Sequence, residues 1–283
     1  MGKKRRGIFF YGIFLPSLLL ALWMCWVFGR VFYAKQRFPQ MHYVEKEKRS
    51  YVTFESKAPK NWVLNKNVSR IAKAAILISE DARFFEHHGF DFEQLQKALQ
   101  TNLNKKKFAR GASTISQQLA KNLFLSREKS ILRKVKEVFY TIALEVLFTK
   151  AQIFEYYLNI AELGRDIYGV QRASLYYFKK PASALNAKEG AFLATLLPSP
   201  IRYSISFHRK ELTSYAQKHI ALLLTRLVQA GHLNASDAEY LEHFPLPFEM
   251  IREDYESEPE LVEEAPEPSS DAVVMEKIDS ENE

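Results

Sequence analysis

Residues 7–29 carry no charged side chain. As a helix, a run of that length spans about 34 Å, enough for a hydrocarbon layer of ~30 Å. This stretch sets the terms for the rest of the chain. Tyr11, Trp23, Trp26 and Tyr33 suit the two membrane interfaces, and Pro16 allows a kink within the span. A cleaved signal peptide would show a shorter apolar region and a small-x-small cleavage site, and neither is evident. Lys3, Lys4, Arg5 and Arg6 precede the run, so the N-terminus is expected to stay cytoplasmic and the remainder to lie outside.

The other 250 or so residues allow one good-sized domain, and an apolar fraction of 47% supports a substantial core. Cys25 is the single cysteine, so no internal disulfide is available. The net charge of +7 hides an asymmetry: residues 253–283 hold 13 acids and one base, which leaves +19 on residues 1–252. A body that basic calls for a polyanion: nucleic acid, an anionic membrane face or a phosphate-bearing substrate. Zinc-finger spacing and an RNA-binding aromatic signature are missing, and the apolar span favours a lipid-borne anion over nucleic acid.

Residues 80–137 concentrate the chemistry. Glu80 and Glu137 bracket a segment rich in amides, hydroxyls and cations, including Ser113, Thr114, Gln117, Gln118, Lys121, Lys129, Arg133 and Lys136. A carboxylate can take a proton from a sugar hydroxyl, while Lys and Arg hold a leaving phosphate or diphosphate. On spacing alone, Arg133, Lys136 and Glu137 also fit a surface ion-pair cluster. Ser126 and Lys129 fit S-x-x-K, but no K-T-G follows, so that match is chance.

Four motifs then resemble the peptidoglycan glycosyltransferases, specifically the monofunctional biosynthetic transglycosylases (glycosyltransferase family 51). E-D-x-x-F-x-x-H-x-G matches Glu80, Asp81, Phe84, His87 and Gly89. G-x-S-T-x-x-Q-Q matches Gly111, Ser113, Thr114, Gln117 and Gln118. R-K-x-x-E matches Arg133, Lys134 and Glu137, and K-x-x-I-x-E-x-Y-L-N matches Lys150, Ile153, Glu155, Tyr157, Leu158 and Asn159. The resemblance covers roughly residues 50–245 and implies an all-α, lysozyme-like domain that polymerises lipid II into glycan strands with inversion. It implies Glu80 as general base and undecaprenyl diphosphate as the leaving group. Lys121, Lys129, Arg133 and Lys136 would hold the diphosphate, with Glu137 placing them or a divalent ion, Mg2+ or Mn2+. Asp81, Phe84, Ser113, Thr114, Gln117 and Gln118 would complete the substrate site. His87 reads as a structural hydrogen-bonder, because its sequence neighbours lack metal-ligand spacing. No organic cofactor is expected; the partners would be the membrane and other cell-wall synthesis or division proteins, not nucleic acid. A lysozyme-like hydrolase and an inactive scaffold are the competing readings.

The expected layout is a cytoplasmic segment 1–7, a transmembrane helix 8–33, a connector 34–68, a glycosyltransferase domain 69–248 and an acidic, disordered tail 249–283. The catalytic domain would lie on the periplasmic side of the inner membrane. Within the connector a short strand is expected near residues 51–54. From Ser69 the pattern turns helical, with Ile71, Ala74, Ala75 and Ile78 on one face, and the helix is expected to end at Glu80. Asp91 with Gln94, and Asn186 with Glu189, read as helix starts. Leu95, Ala98, Leu99, Asn102 and Leu103 follow helical spacing; the basic run 105–110 fits a solvated face or, with Phe108 inside it, contact with lipid headgroups, and the resemblance implies a mobile flap near the bilayer. Ser126 would cap a long helix with Ile131, Val135, Val138, Phe139, Ile142, Val146 and Leu147 on its apolar face. Arg172 and Gly190 stand where the family more often has small residues and Ala, and Lys129 where it often has Arg, which lacks nothing in charge but adds a planar fork.

Overall fold

The computed structural model describes residues 14–44, 49–104, 112–126, 128 and 130–250. The basic N-terminal cluster, the 105–110 run, Gly111, Lys129 and the acidic tail 253–283 lie outside them. The described chain is mostly helical, as expected for the all-α class, with two small hairpins.

Helix α1 (Leu15–Lys35) is long and apolar enough to cross a membrane, and most of it is exposed. Its C-terminal half docks on the body. Val27, Val31 and Ala34 are buried. Arg30 donates to the Tyr140 hydroxyl at 3.0 Å, its guanidinium near the rings of Trp26 and Phe124. Trp23 meets Phe139 edge-on. The Tyr156 hydroxyl donates to the Arg37 carbonyl at 2.7 Å, where α1 ends.

The segment expected as a connector is instead an antiparallel hairpin, β1 (Phe38–Val44) with β2 (Arg49–Glu55). The strand expected near 51–54 is half of it. The partner strand carries Pro39, Gln40 and His42, which hide its β signal. One face of the hairpin, with Met41, Val52 and Phe54, packs on the core.

Helix α2 (Arg70–Glu80) opens with Ser69, whose side chain accepts from the Ala72 N–H. It packs against α8 (Ala187–Leu196), all of whose residues are buried. The Asn186–Glu189 capping box starts α8, and Pro198 and Pro200 lie beyond its end. The two helices meet at Gly190, where a Cβ would stand 2.6 Å from the Ala72 Cα. A small residue is therefore required there, and glycine is what this helix pair accepts. Arg172 reaches Asp166 at 3.1 Å in a half-exposed ion pair, so it leaves the core undisturbed.

Between α2 and α8 in sequence come α3 (Phe92–Asn104), α4 (Ile115–Phe124), α5 (Ile131–Leu147), α6 (Lys150–Ile160) and α7 (Val170–Phe178). A small hairpin, β3 (Glu162–Gly164) with β4 (Ile167–Tyr168), occupies the turn-rich loop before α7. After α8 come the short α9 (Pro200–Tyr203) and α10 (Ile205–His208), then α11 (Ser214–Gln229) and α12 (Ala235–His243).

Two expectations about helix faces are corrected. Ser130, not Ser126, caps α5, accepting from the Arg133 N–H at 3.1 Å. The buried face of α5 is Glu137, Tyr140, Thr141, Ala143 and Leu144, while Ile131 is 86% and Val146 66% exposed. The helical spacing expected of Leu95, Ala98, Leu99, Asn102 and Leu103 is met in α3, where Ala98 is buried and Leu95, Leu99 and Leu103 are exposed. A 3.6-residue period shows that one face is apolar, not that protein covers it.

Candidate active site

Glu80 is the last residue of α2. The segment leading into α2 is pinned from α6. Glu155 accepts from the Asn65 N–H at 2.8 Å and from the Trp62 indole at 3.3 Å. Asn159 bonds both the N–H and the C=O of Val63, each at 2.8 Å. These fourth-motif residues serve the position of the helix that carries Glu80.

The first two motifs interlock. Asp81 Oδ2 accepts from the Ile115 N–H and Asp81 Oδ1 shares a hydrogen bond with His87 Nε2, both at 2.9 Å. The expected hydrogen-bonding role of His87 is therefore met. Folding also brings Asp81, His87 and Asp91 together, each with a ligand-type atom within 4.8 Å of the others. Thr114 and Gln117 form the capping box of α4, and the Thr114 hydroxyl donates to the Gly89 carbonyl at 2.7 Å. Gly89 has φ +85°, and a Cβ there would meet Thr141 at 2.8 Å, so the motif glycine is required twice over. Phe84 is fully buried against Phe85, Phe154 and the Lys150 ammonium. Its expected contact with substrate is thus replaced by a place in the core. Asp81, Thr114 and Gln117 likewise spend their polar atoms on the protein.

Gln118 does face an opening. Its Nε2–H donates to Glu80 Oε2 at 2.8 Å, and its Oε1 accepts from the Tyr157 hydroxyl at 3.2 Å. Burial raises the Glu80 pKa above its ordinary value; the Gln118 bond opposes this, Asp81 adds to it and Lys121 opposes it. Gln118 and Tyr157 line a cleft of about 440 Å³ together with Lys121, Asn122 and Arg133. Met41 and Ser50 of the first hairpin line it too, and the Ser50 hydroxyl is buried without a partner.

At the third motif Glu137 is 2% exposed. Arg133 donates to its Oε2 at 2.9 Å and Lys134 to its Oε1 at 2.5 Å. Lys134 also reaches the exposed Ser113 hydroxyl at 3.4 Å. Lys136, expected beside Glu137, is exposed, and its neighbour Lys134 takes that place. Both spacings, i,i+3 for Lys134 and i,i+4 for Arg133, reach from the preceding turn.

The expected set therefore divides. Gln118, Lys121 and Arg133 line the cleft, with Glu80 behind Gln118 and Glu137 behind Arg133; Asp81, Phe84, Thr114 and Gln117 build the scaffold; Lys129 lies outside the described residues. Lys134 and Tyr157 were not singled out from sequence, although both stand inside the matched motifs. Met41 and Ser50 had no signal, because their hairpin read as a connector.

Lys121 and Arg133 line one opening, the Glu80 carboxylate lies behind its Gln118, and the hairpin after the apolar helix forms part of its wall. That combination is a cleft with two cations along it and a carboxylate behind it, in a chain whose first helix is long and apolar enough to cross a membrane. The family model described as Transglycosylase matches residues 47–227, and the chain belongs to that family. It is similar to the biosynthetic peptidoglycan transglycosylase of Haemophilus influenzae strain Rd, 51% identical over 52% of this chain and 59% of that protein. Proteins of the same description from Dechloromonas aromatica and Shigella boydii serotype 4 are both 37% identical. The first match covers 77% of this chain and 97% of the relative, the second 82% and 96%. The chain is accordingly a peptidoglycan glycosyltransferase that acts in cell-wall synthesis.

Proposed function

We propose that the substrate is lipid II and that Glu80 is the general base of an inverting transfer. The observation that supports this most is a carboxylate of raised pKa hydrogen-bonded to Gln118, which lines one cleft together with Lys121 and Arg133. Ionised Glu80 accepts the proton of the acceptor sugar hydroxyl. The resulting oxygen attacks the anomeric carbon of the donor strand, and undecaprenyl diphosphate departs from the opposite face. Negative charge grows on that diphosphate in the transition state, where fixed cations act most strongly. Lys121 and Arg133 meet it directly, and Glu137 holds Arg133 and Lys134 in register. Lys129 is assigned the same task on its motif position.

Both oxygens of Glu137 already face cations. The described side chains around it thus do not form a divalent site by themselves, and the transfer is derived from the protein groups alone.

The basic residues before the span favour a cytoplasmic N-terminus and an extracytoplasmic catalytic domain. A reporter fused after Phe248 should be active only outside the cytoplasm. The full-length protein in detergent, supplied with lipid II, should yield polymer. Cleavage of preformed glycan would identify a hydrolase instead, and no turnover would indicate a scaffold.

A further inference from the structure

Glu80 needs more than a raised pKa to act as a base, because its oxygen must point at the incoming hydroxyl. The side chain of Gln118 is hydrogen-bonded to it. An amide offers a carboxylate either a donor or an acceptor, and the two ends differ by a simple flip. With the oxygen turned toward an ionised Glu80 the contact would be repulsive. Something must hold the nitrogen there.

We propose that Tyr157 is a positioning residue for the base: its hydroxyl donates to Gln118 Oε1 at 3.2 Å, so that Gln118 Nε2–H is directed at Glu80 Oε2 at 2.8 Å. This rests on the reading of Glu80 as the base. Tyr157 suits the task. Its side chain is 1% exposed and set in α6, whose Glu155 and Asn159 also hold the chain entering α2. A buried, fixed phenol aligns a partner without losing much rotamer freedom of its own. A phenol can also accept, although it donates better than it accepts. When Glu80 holds the proton, the amide can reverse: Glu80 O–H donates to Gln118 Oε1, and Nε2–H donates to the Tyr157 oxygen. The string is satisfied in both protonation states but is stronger with Glu80 ionised, when the phenol donates, so a phenylalanine at 157 costs the ionised state more. Burial and the nearby Glu80 and Asp81 charges raise the Tyr157 pKa, so the hydroxyl keeps its proton throughout the working range. The other groups that face Glu80 are Asp81 beside it, Lys121 from α4 and Tyr215 from α11.

The test is full-length Tyr157→Phe in detergent, assayed with lipid II across pH beside wild type and Glu80→Gln. Loss of one buried neutral hydrogen bond corresponds to a five- to tenfold effect, roughly. The expected result is a fall in kcat of about that size, KM within about twofold, and an acidic limb moved up by about half to one pH unit. A folded Tyr157→Phe with the wild-type profile overturns the proposal. So does a rise in KM with kcat and the limb unchanged, which would make Tyr157 a substrate contact. If Tyr157→Phe does not fold, 3-fluorotyrosine at 157 keeps the shape and strengthens the donor. The limb should then move to lower pH, and an unmoved limb overturns the idea. Full turnover by Glu80→Gln would sink the base assignment itself, an outcome separate from these.

Discussion

Gly190 and Ala72 touch so closely that α2 and α8 have no room for one more methyl group between them: a Cβ on Gly190 would lie 2.6 Å from the Ala72 Cα and 2.9 Å from its Cβ. Both atoms belong to helix backbones or to a short, rigid side chain, so relief requires moving a helix. The helix that would move carries Glu80 at its end.

Gly190→Ala should therefore lower stability by about 1–3 kcal/mol, the usual cost of overpacking. It should also lower activity in the molecules that remain folded, because Glu80 shifts with α2. Thermal unfolding and turnover per folded molecule measure the two effects. An unchanged Tm would mean that the helices separate at no cost.

The raised pKa of Glu80 predicts opposite effects on activity and stability. The native state holds the Glu80 proton more tightly than the unfolded chain does, so ionisation at neutral pH opposes folding. That cost is present above the raised pKa and vanishes below the ordinary carboxylate value of 4.5. Glu80→Gln should accordingly melt above wild type near neutral pH and converge with it near about pH 4. Wild-type turnover should fall as pH drops through a midpoint above 4.5. Equal melting temperatures at both pH values would contradict the burial argument.

Lys134 and Lys136 differ in what they touch. Lys134 binds Glu137 at 2.5 Å, while Lys136 is exposed. Lys134→Ala should reduce kcat by roughly tenfold or more, in line with loss of one charged group near developing charge. Lys136→Ala should cost less. The reverse order would return Lys136 to the role its spacing first suggested.

Much of this could be read without coordinates, for identifiable reasons. Caps are local chemistry, so Asn186 with Glu189 and Asp91 with the Gln94 N–H appear where expected. Motif order was enough to place Glu80, Gln118 and Arg133 near each other. Sequence could not show which polar motif residues face inward. Glu155 and Asn159 look like chemistry, yet they tie the strand of chain before α2. The apolar stripe of α5 promised a core face that tertiary packing gave to Glu137, Tyr140 and Leu144. The hairpin was missed because Pro39 and His42 dilute its pattern, and with it went Met41 and Ser50 of the cleft wall.

The central claim is that Glu80 is the base, and single-turnover polymerisation of lipid II by Glu80→Gln tests it most directly. Glutamine keeps the shape and the hydrogen bond to Gln118 can still form, so binding and folding should survive while proton removal does not. The expected result is a protein that binds lipid II with near wild-type affinity, melts no lower than wild type and forms polymer at least about a hundredfold more slowly. A folded Glu80→Gln that polymerises at the wild-type rate would contradict the account.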